Sequence, residues 1–184
     1  SDLESFLISN MKKTTETQKK MAGLLAGFLR DSDFGKKHPA YINVSQLSFL
    51  QICSLIWVVN LHGLQRAIQE VGAANVRTLE MAVLLSDLPN TLSDVSRYFG
   101  HQSNAHEIRG MMDHEVVGRH AKDQSQLFDV TLRDREALTI LDRFGPEVER
   151  AKQWIQPLVE ELDLTSSIES QAVTSGRPLS AGDV

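Results

Sequence analysis

"QLSFLQICSLIWVVNLHGLQRAIQEVG", residues 46–72, is the stretch on which the fold turns. Its first half is apolar on every side: Leu47, Phe49, Leu50, Ile52, Leu55, Ile56, Trp57, Val58 and Val59. The β-branched residues at 56–59 are what a buried strand would carry. The run is far longer than the roughly five or six residues of an ordinary strand, and it continues without a break into amphipathic "LQRAIQEV" before Gly72. It therefore reads as a helix packed on all sides, starting near a Ser45 cap and ending at Val71. Ser48, Gln51, Ser54 and Asn60 interrupt the apolar part, which is shorter than the roughly 20 residues a bilayer span needs, so no membrane partner is expected.

Toward the N-terminus, Leu7, Met11, Thr14, Gln18, Met21, Leu25 and Phe28 keep three- and four-residue spacing. They predict one long helix over residues 2–30, capped by Asp2 and reaching about 45 Å. Its middle, "KKTTETQKK", is polar, so residues 1–30 read as a helical arm lying in solvent or against a partner. "AGLLAG" sets Gly23 and Gly27 four apart beside Ala22 and Ala26, with Leu24 and Phe28 between and after them. Small residues at that spacing let another helix come close, which makes Gly23, Leu24, Gly27 and Phe28 the candidate self-association residues. "DSDFGKKHPAY" reads as a loop, and "YINV" as a short extended piece.

Toward the C-terminus the pattern predicts shorter helices. One runs from Asn75 to Leu88 and is stopped by Pro89. The next is capped by Asn90 or Thr91, with Leu92, Val95 and Phe99 inward and Gly100 as the stop. A third, capped by Ser103 or Asn104, runs to about Ala121. "LFDV" (127–130) is extended and is a candidate to pair with "YINV" as a minimal ribbon. A helix from Thr131 ends at Gly145. Pro146 begins the last one, whose apolar face is Val148, Ala151, Trp154, Ile155, Leu158, Val159 and Leu162, with a kink at Pro157. From Thr165 the chain turns small and polar and reads as a flexible tail. The expected architecture is all-α: an irregular helical bundle with a long N-terminal helix, a core over 31–164, and a tail over 165–184.

Composition narrows the function. Apolar residues make up 41% of the 184, enough for a core, and the net charge of −5 argues against coating nucleic acid by bulk charge. Residues 1–10 hold two acids and no base, unlike a secretory leader. The single Cys53 sits in the apolar run and reads as a small core residue, as do Trp57 and Trp154. An intracellular setting, cytoplasmic or within a virion, is expected.

Four histidines gather at His101, His106, His114 and His120, with Glu107, Asp113, Glu115 and Asp123 among them. On one helix, His106, Asp113 and His120 would share a stripe with steps of roughly 10 Å, too far apart to hold one ion. After His114–Glu115 the position that would need a second His is Gly118. No metal is expected. "AHEIRG" (105–110) resembles the phospho-acceptor segment of histidine phosphotransfer domains, in which His is followed three residues on by Lys or Arg and then Gly. The resemblance implies His106 as phospho-acceptor, Arg109 as the cation beside the phosphoryl group and Gly110 as the opening for a partner. "HEIR" also resembles the H-box of sensor kinases, but Gly110–Met111 stands where that family has Pro-Leu, and no glycine-rich nucleotide loop is present.

No GxSxG, Walker loop, GxGxxG or CxxC occurs, so neither an enzyme, a cofactor nor a small-molecule substrate is inferred. Basic residues come singly or in pairs, among them Lys36–Lys37 and Arg133 with Arg135, the candidate nucleic-acid contacts. One copy should bind RNA weakly, whereas many copies along a strand gain by avidity. The leading expectation is a non-enzymatic, homo-oligomeric structural protein, most concretely a viral coat or nucleocapsid-type subunit that polymerises, with RNA as a candidate partner. The alternatives are phosphotransfer through His106 and a helical adaptor that binds a protein through its first helix.

Overall fold

The computed structural model describes residues 2–72, 75, 76, 78, 79, 84, 87–113, 119, 120, 123–127 and 130–164. For 119, 120, 123–127 and 130–133 this covers the backbone only. The architecture is all-α. By contacts the chain divides into two compact units: Ser1–Val76 with Thr131–Gln171, and a second that includes Arg77–Val130.

The first unit is built on the helix that the opening stretch predicts, α4 (Phe49–Val71). Its cap is Ser48 rather than Ser45. The Ser48 hydroxyl accepts from the Gln51 N–H, and the Gln51 side chain accepts from the Ser48 N–H at 2.8 Å, a reciprocal capping box. Ser45 lies in a short 3-10 turn, Val44–Gln46. Gly72 closes the helix at φ 91°, where other residues are strained.

The N-terminal helix is two helices, α1 (Leu3–Met11) and α2 (Thr15–Asp31). The break has a local cause. Thr14 turns extended, and its hydroxyl accepts from the Thr17 N–H, so a new helix starts inside the polar middle. This folds the segment back into the unit: Leu7 is buried with Leu50, Cys53, Val148 and Ala151, while Leu25 and Leu29 join Ile52, Leu55, Val58, Ile155 and Leu158. Residues 3–31 thus belong to the packed unit and are not an arm outside it. The expected loop after α2 holds a short helix, α3 (Asp33–Lys37), capped by Ser32, then a 3-10 turn at Pro39–Tyr41. "YINV" is therefore not extended.

The last helices are one: α7 (Val130–Glu161) runs through both Pro146 and Pro157. Both prolines stand on its exposed side, opposite buried Val148, Ala151, Ile155, Leu158 and Val159. Each removes one bond, to the carbonyl of Asp142 or Gln153, and both of these residues are exposed, so water can take it. Gly145–Pro146 therefore does not stop the helix. Lys152 ties α7 to α1 through Glu4 (2.8 Å) and also meets Glu149 (2.7 Å), and Lys12, the residue that caps the end of α1, pairs with Glu136. These pairs are partly exposed, so each contributes under about 1 kcal/mol. Burial of Ile155 and Leu158, at about 1.5–3 kcal/mol each, outweighs them.

In the second unit α5 (Leu88–Tyr98) packs on α6 (Ala105–Met112). Pro89 opens α5 under an Asp87 cap instead of ending an earlier helix, because the first turn needs no proline N–H. Gly100 follows at φ 78°, as a C-terminal stop should. Phe99, expected inward, is 70% exposed because α5 ends at Tyr98 and Phe99 is already its cap. The one ribbon among the described residues pairs β1 (Arg119–His120) with β2 (Asp123–Leu127), so Leu127 of "LFDV" is extended but pairs locally, not with "YINV". Most of the expected helix over 75–88, and the tail over 165–184, lie outside the described residues.

Candidate functional site: the outer face of α2 and the groove beside it

The periodicity of α2 sorts its residues onto two faces. Ala22, Leu25, Ala26 and Leu29 face the core. Leu24, 67% exposed, and Phe28, 45% exposed, do not. A Cβ added at Gly23 or Gly27 would meet nothing within 4 Å. The small-residue stripe is thus divided: the alanines let α2 lie close on the core, and the glycines open an outer surface beside two large apolar side chains.

Phe28 also stands at the rim of a groove of about 760 Å³ between α2, α3, α4 and the end of α7. Its walls mix apolar and titratable groups: Phe34, Val59 and Leu162 beside Lys37, His38, His62, Arg66 and Glu161. His38 Nδ1 lies 3.5 Å from Glu161 Oε1. Burial holds His62 below the ordinary imidazole value, and the positive charge of Arg66 adds to this, against a hydrogen bond with Gln65. Sequence reading missed this pair of histidines. They are 24 positions apart and meet only because Phe34 of α3 packs between them.

The other candidates are scattered. Lys36 is exposed and pairs with Asp33 at 3.3 Å, Lys37 lines the groove, Arg135 is exposed on α7, and the Arg133 side chain lies outside the described residues. The structure therefore places Lys37 in the groove that Phe28 also lines, with Lys36 beside it in sequence on α3 and Arg135 on another helix. His106 and Arg109 are exposed on α6, and a Cβ at Gly110 would meet nothing within 4 Å. The His106 N–H is held by the Asn104 side chain, which with Glu107 forms a second capping box. The helix ends at Met112 and not near Ala121, so no single helix carries His106, Asp113 and His120. Among the described residues no group of three His, Cys, Asp or Glu is placed to hold a metal, and no helix is long and apolar enough to cross a membrane. Cys53 is buried, and burial pushes its thiol up to about 12.

Comparison of the chain with protein-family models, with curated proteins and with solved structures finds no match.

Proposed function

We propose that the chain is a non-enzymatic structural subunit that self-associates through the outer face of α2: Gly23, Leu24, Gly27 and Phe28. The observation that carries this reading is the exposure of Leu24 (67%) and Phe28 (45%) on a helix whose other face is core, next to glycines with open space over them. Covering the exposed parts of both side chains is worth about 3 kcal/mol, or about two orders of magnitude in association constant. The more specific form is a coat or nucleocapsid-type subunit that polymerises along RNA. It draws on Lys37 in the groove and on exposed Lys36 and Arg135.

The test is light-scattering mass against concentration, with and without single-stranded RNA, for the native chain and for Gly23→Leu and Gly27→Leu. Growth that the leucines abolish supports the reading, and growth only with RNA supports its nucleocapsid form. A stable monomer that binds a different protein through α2 would instead make it an adaptor. A second reading, phosphotransfer through His106, draws on the joint exposure of His106 and Arg109 and the open surface at Gly110. It requires acid-labile phosphate on the native chain that His106→Gln removes.

A further inference from the structure

Phe34 is held between two imidazoles. Its ring centroid is 4.7 Å from that of His38 and 5.5 Å from that of His62. His38 follows α3, its side chain is only 9% exposed, and its Nδ1 meets Glu161 at the end of α7. His62 belongs to α4, and its Nδ1 is buried with no hydrogen-bond partner among the described residues. One aromatic cluster thus fastens α3 to α4, and one imidazole–carboxylate contact fastens it to α7.

A neutral His62 can leave Nδ1 as a bare acceptor at modest cost. A protonated one turns both ring nitrogens into donors, so Nδ1–H becomes a buried cationic donor that none of the described residues accepts. The charged surroundings do not help. Arg66 on α4 and His38 and Lys37 on the α3 side oppose a positive ring, and only the hydrogen bond with Gln65, which is outweighed by burial, favours it. Of the carboxylates lining the groove, Glu161 already meets His38, Glu70 meets Arg66 at 3.8 Å and Asp33 meets Lys36. Among the described residues, α2 gives the groove only the uncharged Phe28, and the Ser32 cap that follows it is uncharged too.

We propose that the His38–Phe34–His62 cluster is a pH-operated latch: protonation of His62 releases α3 from α4 and opens the groove. The direction follows from proton uptake. Burial, reinforced by Arg66, holds the closed-state His62 below 6.5, so the open state binds the proton more readily. The closed state keeps its full advantage above about pH 6.5 and loses it as pH falls through the window beneath, down to the closed-state value. One proton per opening raises the open-to-closed ratio by at most about tenfold per pH unit.

A nitroxide at Lys36→Cys reports the release. Lys36 is exposed on α3, and Cys53 is buried and silent to the label. The expected spectrum at low protein concentration has one slow component at pH 8 and a fast component that grows below pH 6.5. His62→Gln should abolish that growth. A fast component independent of pH between 8 and 5 in the native background, or one with the same pH dependence in His62→Gln, overturns the latch. NMR titration of His62 in the unsubstituted chain is a second arm that needs no variant to fold: a midpoint below 6.5 supports the latch, and one at or above 6.5 overturns it.

Discussion

Replacing Gly35 with alanine should unfasten the same corner by a steric route. Gly35 is buried in α3, where the helix lies on the last turn of α2. An added Cβ would stand 1.7 Å from the Leu29 carbonyl oxygen, 2.6 Å from its carbonyl carbon and 3.0 Å from its Cα. These are backbone atoms, so no rotamer change relieves the overlap. To reach even 3.0 Å from the oxygen, α3 must retreat by roughly 1.3 Å, the difference between 3.0 and 1.7. Overpacking of this kind costs about 1–3 kcal/mol. If α3 detaches instead, the loss is the burial of Phe34, about 1.5–3 kcal/mol for a fully buried ring, and this caps the penalty at about 3. Gly63, inside α4, is the internal control. A Cβ there meets nothing within 4 Å, so Gly63→Ala should stabilise by about 0.5–1 kcal/mol through helix propensity alone. The assay is urea unfolding followed by tryptophan fluorescence, because Trp57 and Trp154, the two tryptophans of the chain, both lie in the first unit. With a slope of about 2 kcal/mol/M, a loss of about 2 kcal/mol moves the midpoint down by about 1 M, while the Gly63 variant moves it up slightly. A Gly35→Ala midpoint at or above that of the native chain would refute the close approach of α3 to α2.

Two further outcomes follow from the core. Ile155→Ala removes a fully buried side chain shared by α2, α4 and α7 and should destabilise by about 2–5 kcal/mol, read as a lower midpoint in the same assay; an effect under about 1 kcal/mol would contradict the placement. Cys53, with its thiol pushed up to about 12 by burial, should resist a thiol reagent at pH 8 in the folded chain and react fully in urea; prompt labelling of the folded chain would contradict it.

The parts of the fold that could be read from the sequence are those where local and tertiary preferences agree. The residues of α4 are apolar over more turns than a strand could use, and the Ser48–Gln51 box at its start is a local signature. The break in the N-terminal helix was hidden because heptad-like spacing continues across it, while the cap that causes it, Thr14, sits among polar residues that all suit a helix surface. Gly145–Pro146 reads as a stop, yet the apolar face continues past it and the lost hydrogen bond falls on the solvent side. Tertiary burial of Val148, Ala151 and Ile155 outweighs the local signal. Gly23, Leu24, Gly27 and Phe28 were visible as a group, but only the structure assigns the alanines to the core and the glycines to the outer surface. The two histidines of the groove carried no sequence signal, since their proximity depends on how α3 folds back on α4.

The central claim is that the exposed face of α2 joins copies of this chain. Sedimentation of the native chain and of Leu24→Asp across a hundredfold range of concentration tests it directly. Leu24 is 67% exposed, so the substitution leaves the core intact while placing a charge on the proposed contact. The native chain should rise well above its 20.5 kDa with concentration, and Leu24→Asp should stay at that mass. A native chain that remains at 20.5 kDa throughout, or a Leu24→Asp chain that assembles as the native one does, would contradict the account.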